Sequence, residues 1–141
     1  MTLLVLDFAF PPPLPKARDT STLVVAHDGT PLRAFADSNG VWRYPATPET
    51  VSPLYLQALL NYEDRWFWKH PGVNPWALLR AGGQWLQGGR IVSGGSTLTM
   101  QVARILDPHT RTPWGKAKQL LRAVQLEVHL SKHEILQLYL E

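Results

Sequence analysis

The residues with the most chemistry to offer stand together at Glu63-Asp64-Arg65-Trp66-Phe67-Trp68-Lys69-His70-Pro71-Gly72. There a carboxylate pair is followed by three large aromatics, a histidine and a Pro-Gly break. A carboxylate kept from full solvation and aimed at a hydroxyl can serve as a general base near neutral pH. Upstream, Ser52 fits an N-cap and Pro53 the first helical position. From there Leu56, Leu59, Leu60, Glu63 and Phe67 recur at the three-and-four spacing of one helix face, which sets Glu63 inside an apolar stripe. Two readings are open: a half-buried Glu satisfied by an Arg or a backbone N–H, or a catalytic base. His70, just before Pro-Gly, is expected to cap a helix C-terminus and is not taken as catalytic.

A second group is Ser93-Gly94-Gly95-Ser96-Thr97-Leu98-Thr99-Met100-Gln101. Glycines let backbone N–H groups turn toward a ligand and a helix N-terminus adds partial positive charge, so such a loop can hold a phosphate or simply start a helix. A helix beginning near Ser96 places Leu98, Val102, Ile105 and Leu106 on its buried face, with Thr97, Gln101 and Arg104 projecting from another side. Downstream, Arg111, Lys116, Lys118 and Arg122 form a cationic group whose ordinary role is a solvated helix face. A half-buried carboxylate, a phosphate-compatible loop and cations together fit transfer to or from a phosphorylated donor. No metal-ligand spacing or Ser-His-Asp pattern supports a competing mechanism.

The elements that must position these groups are mostly helical. Asn74-Pro75 opens a helix through Leu78, Leu79, Trp85 and Leu86 that ends at Gly88-Gly89. Thr112-Pro113 opens a long one carrying Leu120, Leu121, Val124 and Val128, and Ser131-Lys132-His133-Glu134 is a capping box for the last. Before Ser52, Asp28-Gly29 and Asn39-Gly40 separate three short β-rich runs, Thr22 to Ala26, Leu32 to Phe35 and Val41 to Tyr44, which predict a three-stranded meander. Residues 11–20 read as a proline-rich extended linker. Met1 to Phe10 is apolar apart from Thr2 and Asp7 and too short to span a bilayer, which fits a disordered start or a membrane-anchor remnant. The segments are thus 1–20, a membrane-proximal remnant and linker; 21–50, a small β segment; and 51–141, the helical part. Glu141 falls inside an apolar helical pattern, so a longer domain is expected.

At 141 residues, 45% hydrophobic and 18% charged, the chain holds one globular domain. Fourteen Lys and Arg against eleven Asp and Glu give a net charge of +3, which permits phosphate, anionic lipid or nucleic acid without choosing among them. The absence of cysteine excludes disulfides and thiol chemistry. The tryptophans Trp66, Trp68, Trp76, Trp85 and Trp114 read as core residues before they read as a membrane-interface belt.

Three ordered stretches resemble signatures of the family 51 peptidoglycan glycosyltransferases of class A penicillin-binding proteins. Residues Glu63 to Gly72 resemble the first, Gly94-Gly95-Ser96-Thr97-Leu98-Thr99-Met100-Gln101 the second, and Ser131-Lys132-His133-Glu134-Ile135-Leu136-Gln137-Leu138-Tyr139-Leu140 the end of the third. The Trp-rich first motif, Met100 and the upstream β segment are most similar to the 1C branch. The resemblance implies a mainly α, lysozyme-like glycosyltransferase domain, here its N-terminal part, preceded by a small β-meander. It implies polymerisation of lipid II into glycan strands at the outer, periplasmic face of the bacterial cytoplasmic membrane. Glu63 would be the base; Asp64, Ser96, Thr97, Gln101, Arg104, Arg111, Lys116 and Gln119 would meet substrate. Lipid II, the growing glycan strand, the membrane surface and other cell-wall synthesis proteins are the implied partners, with no nucleic acid. No cofactor is assigned; a divalent cation, Mg or Mn, at the diphosphate stays open, with Glu63 and Asp64 too few to fix one alone.

The family's third signature runs Arg-Lys-x-x-Glu, whereas Gly115, Lys116 and Gln119 stand at those positions. The second carboxylate is therefore an amide, which can hydrogen-bond but cannot accept a proton. Glu127, on the same helix, matches a further Glu of the motif and is expected to be structural. Two alternatives follow: a non-catalytic module that binds lipid II or a partner, and a lysozyme-like lytic enzyme.

Overall fold

The computed structural model describes residues 7–15, 21–44, 46–88, 95–110 and 112–141, with residues 85–88 described by backbone alone. Ser93, Gly94 and Arg111 lie outside the described residues. The order is a β-hairpin, β1 (Thr22–Val25) and β2 (Pro31–Phe35), then a 3₁₀ turn at Pro48–Thr50 and α1 (Pro53–Glu63). A second 3₁₀ turn at Phe67–Lys69 leads to α2 (Pro75–Gly88), α3 (Leu98–Leu106), α4 (Pro113–His129) and α5 (Lys132–Leu140). The chain is mainly helical, as the motifs imply.

The hairpin is antiparallel, with Thr22 opposite Phe35, Leu23 opposite Ala34 and Val24 opposite Arg33. Gly29 turns it with φ of +84°, and the Asp28 carboxylate accepts the Thr30 N–H at 2.9 Å. The expected third strand, Val41 to Tyr44, does not form: among the described residues the sheet has two strands. Side chains capture that run instead. Buried Asp37 accepts the amides of Asn39 and Val41 and pairs with Arg43, while Ser21 Oγ accepts the Arg43 N–H at 2.7 Å. Isolated backbone bonds, Ser21 N–H to the Arg43 carbonyl at 2.8 Å and Asp37 N–H to that of Val41 at 2.9 Å, accompany these side-chain bonds without extending into a ladder.

Caps set the helix starts. Asn74 Oδ1 accepts the Ala77 N–H at 3.2 Å, Thr112 Oγ1 accepts that of Gly115 at 3.0 Å, and Ser131 and Glu134 form the reciprocal capping box. Ser52 stands at the N-cap of α1 but its side chain makes no cap bond. The third helix starts one residue later than a Ser96 cap predicts, because Thr97 is the N-cap and accepts the Met100 N–H at 3.1 Å. α1 stops at Glu63, and Phe67 belongs to the following 3₁₀ turn. Of the leucines that the apolar spacing joins to it, Leu60 packs against the same core as Phe67, which is reached by a break in the helix.

That core is built on α3, which packs against α4 and α5. Phe67, Leu98, Met100, Val102, Ala103, Ala123, Leu126, Ile135 and Leu136 are buried in it. Ile105, expected inside, is 53% exposed, and α4 buries Gln119, Ala123 and Leu126 while Val128 is exposed. Gly72 passes against α4 with φ of +80°, and a Cβ there would stand 2.7 Å from the Ala123 carbonyl oxygen, so only glycine fits. Glu127 is structural: it accepts from Thr99 Oγ1 and Lys132 Nζ, both at 2.6 Å, and Lys132 sits 4.4 Å over the Phe67 ring. The aromatic expectation is corrected, since Trp66, Trp68, Trp76 and Trp114 are all exposed. They sit on helix starts and turns, with Trp68 edge-on to the buried Phe67 ring at 5.0 Å between centroids. Among the described residues no helix is long and apolar enough to cross a membrane.

Two measurements check this account. Phe67→Ala, which empties the centre of the core, is expected to destabilise the fold by about 3–5 kcal/mol in denaturant titration; a loss under about 1 kcal/mol would contradict the packing described. Asp107, at the C-terminus of α3, accepts from Lys118 Nζ at 2.8 Å and Arg122 Nε at 2.9 Å. Burial alone would raise its pKa, but these two cations outweigh that and hold it below the ordinary value. A lowered folded-state pKa gives stability present above the unfolded value and lost as pH falls through the folded one. The stability advantage of wild type over Asp107→Asn is therefore expected at neutral pH and should shrink below about pH 3.9, as read from melting curves.

Candidate functional site

Glu63 and Asp64 are adjacent, yet the end of α1 sends them to different surroundings. Asp64 leaves helical geometry at the C-cap and turns inward, where it is 7% exposed. Its Oδ2 accepts the N–H of Leu98, the first residue of α3, at 2.9 Å, and His70 Nε2 donates to both carboxylate oxygens at 2.9 and 3.0 Å. A helix leaves its first N–H groups unpaired and carries partial positive charge at that end, so a buried carboxylate is well matched to it. His70 is thus a partner of Asp64, not the helix cap expected of it. Its Nε2 must carry the proton, because the carboxylate can only accept; its buried Nδ1 has no partner among the described residues.

Thr97 completes this junction. It is 2% exposed, and its hydroxyl donates to the Gly72 carbonyl at 2.5 Å while accepting from Met100 N. Far from projecting beside Gln101 and Arg104, Thr97 locks the first motif to the second. The resemblance sets Asp64 and Thr97 among the substrate contacts; both lie in the joint that holds the site and both also border the cleft.

Glu63 remains at the edge of a cleft of about 1120 Å³ whose walls include Asn61, Tyr62, Trp66, Lys69, Trp76 and Ser96. The carboxylate is half-buried, and Gln101 Nε2 donates to its Oε2 at 2.8 Å. That bond comes from the outward side of α3 and leaves the other oxygen without a described protein donor. Tyr139 of α5 feels the same charge: burial first, then Glu63, pushes its hydroxyl above the ordinary tyrosine value. Neither Tyr139 nor the cleft aromatics were singled out as site residues from sequence, since one lies far down the chain and the others look like core. A tyrosine within the quoted third signature was the available signal.

The cationic side of the site is Lys116 on the first turn of α4. Its Nζ donates to Ser96 Oγ at 2.6 Å and Gln119 Oε1 at 3.1 Å. Burial, then Arg104, lowers the pKa of this ammonium from its ordinary value. Arg104 is half-buried on α3. The four cations grouped in the sequence therefore separate: Lys116 joins the site, Lys118 and Arg122 bind Asp107, and Arg111 is outside the described residues. Among the described residues no three acidic, histidine or cysteine side chains converge as a metal site. With Asp64 fully engaged, the donor set around Lys116, Arg104 and Ser96 suits an anion, not a resident cation.

What the arrangement offers is one carboxylate facing a cleft, one cation behind a serine on the same cleft wall, and a buried joint that fixes the two relative to each other. Relatives of known name share this sequence. Penicillin-binding protein 1C of Escherichia coli is 64% identical over 134 residues, 95% of this chain and 17% of that protein. Penicillin-binding protein 1A of Escherichia coli is 34% identical over 135 residues, 89% of this chain and 16% of that protein. The biosynthetic peptidoglycan transglycosylase of Laribacter hongkongensis is 40% identical over 91 residues, 64% of this chain and 40% of that protein. The chain thus spans only a minor part of the length of these relatives. The transglycosylase family model matches residues 28–141, from the hairpin turn through α1 to α5 and all the residues of the site, and the chain belongs to that family.

Proposed function

We propose that this chain carries the glycosyl-transfer site of a peptidoglycan synthase that polymerises lipid II at the outer face of the bacterial cytoplasmic membrane. The observation that carries the reading is that Glu63 and Ser96 line one cleft while Lys116 stands behind Ser96. In this reaction Glu63 takes the proton of the acceptor GlcNAc 4-hydroxyl as that oxygen attacks the donor anomeric carbon. The new C–O bond forms on the face opposite the breaking bond to phosphate, so the configuration inverts. The electron pair leaves with the lipid diphosphate, toward Lys116, Ser96 and Arg104, where the two cations stabilise the growing negative charge.

Gln101 supports the base in this scheme. Its amide holds Glu63 in place without supplying a charge that would weaken its basicity. A Mg or Mn ion would be held mainly by diphosphate oxygens of the substrate and would add charge neutralisation there; the protein side chains described supply orientation and hydrogen bonds. A lytic reaction on a finished glycan has no diphosphate leaving group and would leave Lys116 and Arg104 without a role. The growing strand, the membrane surface and other cell-wall synthesis proteins are the partners this assignment entails.

Glu63→Gln keeps the shape and the capacity to hydrogen-bond while removing the base. In the full-length protein, polymerisation of fluorescent lipid II is expected to fall by about 10²–10⁴-fold, with lipid II binding retained. Polymerisation at the wild-type rate would sink the role given to Glu63.

A further inference from the structure

Lys116 differs from the neighbouring cations in having only neutral partners. Lys118 and Arg122 share the Asp107 carboxylate and Lys132 pairs with Glu127. Lys116 instead donates to a hydroxyl and an amide oxygen, and among the described residues no carboxylate pairs with it. The charged group acting on it from the packed elements is a second cation, Arg104 of α3. A half-buried ammonium without a counter-ion is costly to maintain and implies that a negative charge arrives from outside.

Gln119 shows how that state is held. It is 5% exposed, its Oε1 accepts from Lys116, and its Nε2 donates to the Met100 carbonyl at 2.7 Å. The two bonds fix the amide's orientation, since a flipped amide would set oxygen against the carbonyl and NH₂ against the ammonium. A carboxylate here would neutralise Lys116 and turn a second acceptor toward Met100. The amide does neither. We infer that Gln119 is a positioning residue that aims the Lys116 ammonium at Ser96 while leaving its charge unneutralised for a phosphate oxyanion of the bound donor. The inference rests on the glycosyl-transfer reading for the identity of the anion, whereas the geometry holds for any diphosphate.

The test compares wild type, Gln119→Glu and Gln119→Met in the full-length protein. Lipid II polymerisation is resolved into kcat and KM, and inorganic pyrophosphate binding is measured by calorimetry, from about pH 7 to 11 to cover the lysine range. A lysine that binds as its protonated form gives affinity that falls as pH rises through its pKa. In Gln119→Glu the added negative charge favours the ammonium, so this alkaline limb should move up by about one unit or more. At neutral pH the same variant should bind pyrophosphate about tenfold more weakly, as expected when a charge-assisted bond is diverted, with lipid II KM rising more than kcat falls. In Gln119→Met no charge is added, and the limb should stay at or below its wild-type position. A raised limb with weakened neutral-pH pyrophosphate binding in Gln119→Glu, and no rise in Gln119→Met, is what a merely structural role would not give; that role lowers both melting temperatures and leaves neutral-pH pyrophosphate affinity in place.

Coincident limbs in wild type and Gln119→Glu, or equal pyrophosphate affinity, would overturn the inference. Should the methionine variant fail to fold, the glutamate variant decides alone, because its limb reports Lys116 directly. If pyrophosphate binding follows the expected pattern while the wild-type protein does not polymerise lipid II, the positioning role stands and the glycosyl-transfer reading fails. If polymerisation proceeds and neither the limb nor pyrophosphate affinity responds to Gln119→Glu, the reading stands and the positioning role fails.

Discussion

The arrangement of this molecule depends on one buried carboxylate. Asp64 receives an N–H from the first turn of α3 and the imidazole of His70, and all three groups are removed from water. An unpaired carboxylate in that position would be untenable, so the contact is obligatory in the folded state. It joins the end of α1 to the start of α3, and Thr97 doubles the joint by bonding the Gly72 carbonyl. Gly72 in turn can pass α4 only because it lacks a Cβ. Three stretches far apart in sequence are thereby fixed to one another within hydrogen-bond tolerances.

In the proposed reaction the acting groups are the neighbours of these structural residues. Glu63 precedes Asp64 and Ser96 precedes Thr97; all four border the cleft, and in each pair the second member is also buried in the joint. Rigidity is thus transmitted over a single peptide bond, so the cleft walls need little further support. The same economy appears in the two glutamines. Gln101 ties the Glu63 carboxylate to α3, and Gln119 holds the Lys116 ammonium that meets Ser96. An amide can orient a charge without cancelling it, which a salt bridge cannot.

The remaining charges serve the scaffold. Asp107 gathers Lys118 and Arg122 at the end of α3, and Arg122 also donates to the Phe10 and Pro11 carbonyls, bringing the N-terminal segment onto α4. Buried Gln125 adds bonds to Asp7 and to the Phe10 carbonyl. A basic stripe on one helix therefore divides by depth and partner. Proximity along the helix does not reveal that division, because Lys116 and Lys118, two residues apart, meet different partners while Lys118 and Arg122, one turn apart, share Asp107.

Local chemistry settled much from sequence alone. Proline and cap residues determined where α2, α4 and α5 begin, the Asp-Gly turn determined the hairpin, and apolar periodicity marked the half-buried face of α1 with Glu63 on it. The motifs carried the family, and with it the residues worth naming. What sequence could not decide was the partner of each polar group. That Asp64 and Thr97 face inward, that His70 serves Asp64, that Val41 to Tyr44 is captured by Asp37 and Ser21, and that the tryptophans lie outside the core were decided only in three dimensions. A side chain's polarity is local, but its satisfaction depends on groups brought close by the packing of the whole chain.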